Sequence, residues 1–332
     1  DDDIGLPLSL LAMEPDQEVG VFERGMNHPG ELQPLCELLK PEIGIMTPIG
    51  PVHLEFFESL ESIAQEKSTL FRALPAKGLA ILSSEEPWFD LLSRAAPCRV
   101  VTVSLNGRDA DYMGEPDTVR EGLFSVHEKT TGEIMEFESP LPGEHVICNA
   151  LLAIAAGRQA GVDWSCIRQA LKAYAPPPMR WAEVRQDGVL FINDAYNANP
   201  VSMRAALAVF SLVHGKGVRW LALGGMRELG KAEREEHIRL GREIARGGWA
   251  GLVTVGELGA IIAEGAGIAG WPQEKIVSCK DHAEAAKALR KRVHAEDAVL
   301  LKGSRGEHME DVLKCWKEEA NHEIKDDCCA ML

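Results

Sequence analysis

The chain has 332 residues, a length that suits two domains better than one. Hydrophobic residues make up 45% and charged residues 26%, an ordinary globular composition that argues against extensive disorder. The formal net charge of −16 argues against non-specific nucleic-acid binding, which needs a basic surface. No apolar run reaches transmembrane length. The eight Cys lack CxxC spacing, which favours free thiols in a reducing cytoplasm.

Short apolar runs alternate with helical patterns through the first half of the chain. The runs predict four buried strands: Val19–Glu23, Ile43–Thr47, Leu79–Ser83 and Val100–Ser104. A helix over Glu58–Leu74 separates the second and third strands, and the alternation favours a largely parallel sheet flanked by helices. The patterns that follow predict a hairpin and two helices: Gly122–Val126 with Glu133–Glu138, then His145–Ala160 and Trp164–Tyr174.

Three consecutive prolines, Pro176 to Pro178, mark the predicted domain boundary, because proline cannot continue a helix. We therefore predict domains over residues 1–178 and 179–332. The second half repeats the alternation, with strands at Val189–Asn193, Val218–Leu223, Gly251–Val255, Ile276–Ser278 and Ala298–Lys302. Its predicted helices are Val201–Val213, Lys231–Arg246, Leu258–Ala266, His282–Val293 and Glu307–Trp316. This pattern is typical of a doubly wound domain, which binds ligands at the carboxyl ends of its strands.

Lys67 occupies an unusual position in the predicted helix Glu58–Leu74. It lies seven residues from both Leu60 and Leu74, at the centre of the apolar stripe of that helix. The commoner fate of such a lysine is to extend its amine into water. The alternative is a buried amine with a lowered pKa that takes part in chemistry.

Two further polar residues lie near predicted strand ends. Glu23 ends the first strand, and His53 follows the second by a few residues. We expect these two side chains and the amine of Lys67 to converge, because parallel strands end at the same edge of a sheet. Glu and His can bind a divalent metal ion, although a solvated loop pair is the commoner explanation for two such residues.

The segment Asn193–Pro200 closes a strand and opens a helix, and it holds one Asp and three Asn in eight residues. Asn199 as N-cap and Pro200 as the first helical residue predict the start of that helix. This cap leaves three polar residues of the segment unexplained: Asp194, Tyr196 and Asn197. Either the local backbone or a ligand needs them.

The run Lys302-Gly303-Ser304-Arg305 also follows a predicted strand. Gly303 permits a tight turn, and Lys302 and Arg305 near a helix start suit a carboxylate or phosphate. The sequence GxxxxGK[ST] occurs nowhere in the chain. We therefore expect the chain to lack the loop that grips the phosphates of ATP.

Taken together, these stretches resemble the Mur ligases, which build the peptidoglycan precursor of the cell wall. The resemblance runs from about Ile4 to about Met309, and five stretches carry it: Ile4–Leu8, Phe22–Glu31, Thr47–Lys67, Asn193–Met203 and Lys302–Arg305. The run Tyr196-Asn197-Ala198-Asn199-Pro200 is the most specific. It is similar to the branch that joins D-alanyl-D-alanine to UDP-N-acetylmuramoyl-tripeptide, and it argues against a folylpolyglutamate synthase.

The resemblance implies an α/β fold with two domains. The first is a Mur-ligase-like central parallel-sheet domain, incomplete at its N-terminus, and the second is a C-terminal Rossmann-like doubly wound domain. Family members carry a uridine-nucleotide domain and a Gly-rich phosphate loop ahead of the position that Ile4 matches. We therefore expect little or no ligase activity from this chain alone.

The resemblance also implies roles for individual residues. Glu23 and His53 match magnesium ligands, and Lys67 matches the lysine that the family carbamylates, which could hold a second magnesium ion. These three form the implied catalytic set. Contacts to the base, phosphates and ribose of ATP are implied for Asn149, Arg180 and Asp194. Candidates for holding substrate are Asn197, Asn199, Lys302, Ser304 and Arg305.

The implied reaction has two steps. The tripeptide carboxylate takes the γ-phosphoryl group of ATP, and the amine of D-alanyl-D-alanine then attacks the acyl phosphate. The expected partners are these small molecules alone, without nucleic acid or membrane insertion, and the expected state is a monomer in the bacterial cytoplasm. The alternative is a non-catalytic homologue that binds a nucleotide or a partner without chemistry.

Overall fold

The computed structural model describes residues 4–107, 109–120, 122–213 and 215–318. The chain divides into two compact units, Asp1–Tyr174 and Ala175–Leu332. The first unit contains a six-stranded sheet and the second unit contains another. In the described part of the chain, no helix is long and apolar enough to cross a membrane.

The sheet of the first unit has the order β1-β2-β3-β4-β5-β6, and β1 to β4 run parallel. Its strands are β1 Ile43–Ile45, β2 Leu79–Ser83, β3 Arg99–Ser104, β4 Tyr112–Pro116, β5 Leu123–Glu128 and β6 Ile134–Glu138. Its helices are α1 Gly5–Leu11, α2 Leu32–Leu39, α3 Leu60–Lys67, α4 Thr69–Arg72, α5 Phe89–Ala95, α6 Glu144–Gln159 and α7 Trp164–Ala173. Every residue of β2 is buried, as expected for a parallel strand covered on both faces. The β4–β5 and β5–β6 pairs are antiparallel, which confirms the predicted hairpin.

The prediction of a strand over Val19–Glu23 is wrong. These residues form no helix or strand, and Val19 and Val21 are 70% and 88% exposed. A strand needs a neighbour to take up its backbone hydrogen bonds. Among the described residues, the edge strand β1 pairs with β2 and with no segment on its other side. The apolar alternation of Val19–Glu23 therefore has no ladder to join.

The predicted helix Glu58–Leu74 is shorter than expected and breaks at Ser68 into α3 and α4. Ser59 is the N-cap of α3, and its side chain accepts a hydrogen bond from the Ser62 N–H in a capping box. Lys67 is the last residue of α3. Four elements of this unit were not predicted: α1, α2, α5 and β4.

The sheet of the second unit has the order β11-β10-β9-β12-β8-β7, and all pairs except β7–β8 are parallel. Its strands are β7 Ala182–Gln186, β8 Val189–Asn193, β9 Arg219–Leu223, β10 Gly251–Val255, β11 Ile276–Cys279 and β12 Ala298–Lys302. Its helices are α8 Pro200–Ser211, α9 Glu233–Ile244, α10 Gly256–Ile268, α11 His282–Arg290 and a last helix covering 310–318. The predicted doubly wound pattern is thus confirmed, and only β7 was missed among the strands.

Strand β12 lies between β8 and β9, so the strand order reverses there. Parallel sheets bind ligands beyond the carboxyl ends of their strands at such a switch point. The loops that follow β8, β9 and β12 meet at this edge, and they contain most of the site residues predicted for the second half of the chain.

Candidate active site

Two backbone hydrogen bonds join the loops that follow β9 and β12. The Gly224 N–H donates to the Lys302 carbonyl at 2.9 Å, and the Ser304 N–H donates to the Gly225 carbonyl at 2.9 Å. A Cβ on Gly225 would overlap the side chain of Leu258, so this loop approaches α10 too closely for any larger residue. The two backbone hydrogen bonds therefore hold the two loops together at the edge of the sheet.

Lys302 is 3% exposed, and its ammonium group lies against the loop that follows β8. The Nζ atom donates to Asp194 Oδ2 at 2.7 Å, to the Asn197 carbonyl at 3.0 Å and to the Asp194 carbonyl at 3.4 Å. Burial lowers the pKa of Lys302, and the Asp194 carboxylate opposes that shift. Because an ammonium group has three N–H donors, Lys302 has none left for a substrate here. It holds the Asp194–Asn197 backbone in place.

Ser304, two residues after Lys302, also binds the loop that follows β8. Its hydroxyl donates to the Ala198 carbonyl at 3.0 Å and accepts from the Arg227 N–H at 2.8 Å. The residue is 4% exposed. Ser304 therefore connects the loops after β8, β9 and β12, and its only hydroxyl proton is already used.

The Asn193–Pro200 segment combines a helix start with polar side chains. Asn199 accepts from the Ser202 N–H at 2.8 Å in a capping box, and Pro200 is the first residue of α8. This confirms the predicted cap and leaves the Asn199 Nδ2 amide group for a ligand. Asn197 is exposed, and its Oδ1 accepts from the Ala198 N–H at 2.8 Å. The amide N–H groups are the parts of these two side chains that remain available.

The two predicted arginines of this unit differ in their surroundings. The guanidinium carbon of Arg180 lies 4.1 Å from the centre of the Tyr196 ring. Arg305 donates instead to Glu310 Oε1 at 2.6 Å, so its charge is already paired. Arg180 is thus the better placed of the two to attract an anion.

In the first unit, a small apolar cluster joins the segments that carry Glu23, His53 and Lys67. Its buried members are Met26, Leu32, Phe57 and Ile63. Met26 lies three residues after Glu23, Phe57 four residues after His53, and Ile63 four residues before Lys67. The cluster therefore keeps these three segments together although they are far apart in sequence.

Lys67 is half-buried, and burial lowers the pKa of its amine. The Glu86 carboxylate acts in the opposite direction on that pKa, which places its charge near Lys67. Glu86 is 7% exposed, and its Oε2 accepts from the Ile49 N–H at 3.0 Å. Its Oε1 is buried and has no hydrogen-bond partner. A buried carboxylate oxygen without a partner is costly, so this position suits a cation or a proton donor.

Glu23 and His53, the predicted metal ligands, have less in their surroundings that supports the predicted role. Glu23 is exposed, and its backbone carbonyl accepts from Arg24 Nη1 at 2.8 Å. His53 is half-buried and has a φ of 56°, a left-handed conformation that is uncommon outside glycine. In the ranges that the structure describes, no three His, Cys, Asp or Glu side chains are grouped closely enough to hold a metal ion.

Asn149 lies on the exposed side of α6, next to the buried Cys148. Burial raises the pKa of the Cys148 thiol to about 11, so the thiol is not a nucleophile at neutral pH. The exposed amide of Asn149 can donate and accept hydrogen bonds, as a contact to a nucleotide base requires.

Three features that shape these sites were not predicted from the sequence: Glu86, the contact of Tyr196 with Arg180, and His237. His237 is fully buried on α9, where its Nε2 accepts from the Met226 N–H at 2.9 Å and its Nδ1 lies 2.6 Å from the Glu233 carbonyl. Glu86 could have been found from its position just after β2. No local sequence pattern indicates that His237 accepts a hydrogen bond from the Met226 N–H.

Comparisons with known proteins cover both units. The profile of the Mur ligase middle domain matches residues 1–157, and that of the Mur ligase, glutamate ligase domain matches residues 179–305. UDP-N-acetylmuramoyl-tripeptide–D-alanyl-D-alanine ligase of Bacillus subtilis is 33% identical over 312 residues, covering 94% of this chain and 67% of that protein. The Escherichia coli enzyme of that name is 31% identical, covering 95% of this chain and 69% of that protein.

Solved structures agree with these sequence matches. A crystal structure of MurF from Acinetobacter baumannii superposes with a TM-score of 0.85 at 27% identity, over 96% of this chain and 69% of that one. MurF ligase from Thermotoga maritima in complex with ADP, at 23% identity and a TM-score of 0.79, shares the fold over 96% of this chain and 71% of that one. The chain spans about two thirds of the length of the proteins that it matches.

Proposed function

The chain belongs to the Mur ligase family, and we propose that it carries the lysine, nucleotide and substrate parts of an ATP-dependent ligase. This ligase joins D-alanyl-D-alanine to UDP-N-acetylmuramoyl-tripeptide in peptidoglycan synthesis. The observation that carries the proposal is the 33% identity over 312 residues to a ligase of this name, because the aligned stretch includes both units. The Asn193–Pro200 segment, which Lys302 and Ser304 hold in place, supports the same specificity.

The proposed reaction begins at the tripeptide carboxylate, which takes the γ-phosphoryl group of ATP to form an acyl phosphate. The amine of D-alanyl-D-alanine then attacks the acyl carbon, and the tetrahedral intermediate expels phosphate. Arg180 supplies positive charge for the phosphates, and Asp194 supplies an oxygen for the ribose. The amide groups of the exposed Asn197 and the half-buried Asn199 hold the substrates, and the Asn149 amide contacts the base.

We assign Lys302 and Ser304 a positioning role within this proposal. Lys302 donates to the Asp194 carboxylate and the Asn197 carbonyl, and the Ser304 hydroxyl donates to the Ala198 carbonyl, so both residues shape the loop that meets the ligands. Arg305 is paired with Glu310 and would have to leave that carboxylate to reach a substrate.

Magnesium and a carbamate on Lys67 are part of the proposal, with Glu23 and His53 as further ligands. The half-buried amine of Lys67 and its lowered pKa support it, because only an uncharged amine reacts with carbon dioxide. The unpartnered Glu86 Oε1 supports a cation in the same region. When bound, magnesium would offset the negative charge of the phosphates and the developing oxyanion.

We also propose that the ligase is a monomer in the bacterial cytoplasm. All the candidate residues belong to one chain, so the proposal assigns no role to a second copy. Free cysteines are compatible with a reducing compartment.

The test is phosphate release by the complete gene product, including any sequence that precedes Asp1. Release should require ATP, UDP-N-acetylmuramoyl-tripeptide and D-alanyl-D-alanine together, and L-alanyl-L-alanine should not replace the last of these. Binding of ATP without any release in the presence of all three would instead support the non-catalytic homologue. Release with glutamate as the added amino acid would contradict the proposed specificity.

A further inference from the structure

Arg180 and Tyr196 form a cation–π pair at the start of the second unit. The guanidinium carbon lies 4.1 Å from the ring centre, and Tyr196 is 39% exposed. A guanidinium at this distance from a phenol ring makes a cation–π contact. The pair brings together residues that are sixteen positions apart in sequence.

Two hydrogen bonds join the chain segments that carry Arg180 and Tyr196. The Tyr196 N–H donates to the Met179 carbonyl at 3.0 Å, and the Trp181 N–H donates to Asp194 Oδ1 at 3.2 Å. Met179 and Trp181, on either side of Arg180, have φ angles of 62° and 54°. Non-glycine residues adopt this left-handed conformation only where the surroundings impose it. The turn that carries Arg180 is therefore built against the Asp194–Tyr196 segment.

The stack leaves the hydrogen-bonding edge of Arg180 uncommitted. Within the described ranges, its guanidinium group has no hydrogen bond or ion pair to any side chain, and it contacts the ring of Tyr196. The nearby charge of Lys302 is already balanced by Asp194. A guanidinium that stacks through its face presents its N–H donors in the plane, where they can bind two oxygens of one anion.

We propose that Tyr196 is a positioning residue that holds Arg180 edge-on for a phosphate group of the nucleotide. The ring restricts the guanidinium to one plane, so fewer rotamers must be given up when the anion binds. This inference rests on the proposed function, because it takes the phosphate from a bound nucleotide.

The experiment compares Tyr196→Leu, Tyr196→Phe and Arg180→Ala in the complete gene product, with Tyr174→Leu as a matched control. Tyr174 is 49% exposed and lies in the other unit. Tyr196→Leu should raise the KM for ATP and the Kd for ATP by about threefold to tenfold, within the range expected for ordering one long side chain on binding. The KM for D-alanyl-D-alanine and the melting temperature should stay unchanged.

Tyr196→Phe should restore ATP affinity, because it keeps the ring and removes only the hydroxyl. Tyr196→Leu added to Arg180→Ala should cause no further loss, because the ring then has nothing to position. An equal loss from Tyr196→Leu with and without Arg180 would overturn the inference, since the ring would then contact the nucleotide itself. No loss from Tyr196→Leu would overturn it as well.

Failure of the inference can be told apart from failure of the proposed function. An unmodified protein that releases phosphate normally, with additive Tyr196 and Arg180 effects, removes only the positioning role. An unmodified protein that neither binds ATP by calorimetry nor releases phosphate removes both.

Discussion

The Nζ atom of Lys302 lies 2.7 Å from Oδ2 of Asp194, and the two residues come at the ends of neighbouring parallel strands. In the register of β12 and β8, Leu301 pairs with Asn193. The residues that follow them, Lys302 and Asp194, are therefore brought side by side. The register of two strands thus creates an ion pair between residues 108 positions apart. The same pair fixes the loop that carries Asn197.

Lys302→Met should destabilise the protein strongly. The substitution keeps most of the side-chain volume but leaves the largely buried Asp194 carboxylate without its partner. Removing one member of a buried ion pair costs about 3 to 5 kcal/mol. Denaturant unfolding measures this loss. Lys314→Met is the control, because Lys314 is 68% exposed and its pair with Asp311 should contribute little. Equal stability of the two variants would contradict the prediction.

His237→Ala should destabilise the second unit by about 3 kcal/mol or more, because it leaves the buried Met226 N–H without a partner and opens a cavity. Amide hydrogen exchange should show faster exchange at Met226 and Arg227. His28→Ala, at a 53% exposed histidine, should have an effect within about 0.5 kcal/mol. Unchanged exchange at Met226 in the His237 variant would argue against this account.

Tyr112→Phe should change how stability depends on pH in the alkaline range. Burial and the hydrogen bond to Glu128 raise the pKa of Tyr112 to about 12 from an ordinary value of 10.0. The folded chain therefore keeps a proton that the unfolded chain loses, so this stabilisation is present below pH 10 and disappears as the pH rises towards 12. A shift of this size corresponds to about 2 to 3 kcal/mol.

The measurement for Tyr112 is the free energy of unfolding at several pH values between 9 and about 12. Its decline should be shallower in Tyr112→Phe than in the unmodified protein. Tyr174→Phe, at an exposed tyrosine, should follow the unmodified protein throughout. Parallel curves for all three proteins would show that Tyr112 does not carry this dependence.

Lys67→Ala in the complete gene product should abolish turnover, and short carboxylic acids should restore part of it by replacing the carbamate. A ¹³C carbamate resonance, formed with labelled carbon dioxide, should appear in the unmodified protein and be absent from the variant. Lys77→Ala is the control, because Lys77 is exposed in the turn before β2. Normal turnover in Lys67→Ala, or a carbamate signal that survives in it, would exclude this assignment.

Much of the fold could be predicted because the relevant signals are local. The strands β2, β8, β10 and β12 were predicted with their observed bounds, since each is a five-residue apolar run between turn residues. Asn199 and Pro200 begin α8 through contacts to residues within three positions. The Val19–Glu23 prediction failed because a strand also requires a partner, and its own residues cannot provide one.

The sequence by itself determined the family, the alternation of strands and helices, and Lys67 as an amine inside an apolar stripe. Only the tertiary structure decided which groups meet. Sheet register pairs Lys302 with Asp194, the loop after β2 brings Glu86 near Lys67, and α9 places His237 against the Met226 backbone. Caps and periodicity depend on residues a few positions apart, whereas these contacts depend on how whole strands and helices pack. In the same packing Lys302 and Ser304, for which the resemblance implied substrate contacts, donate to the loop that follows β8.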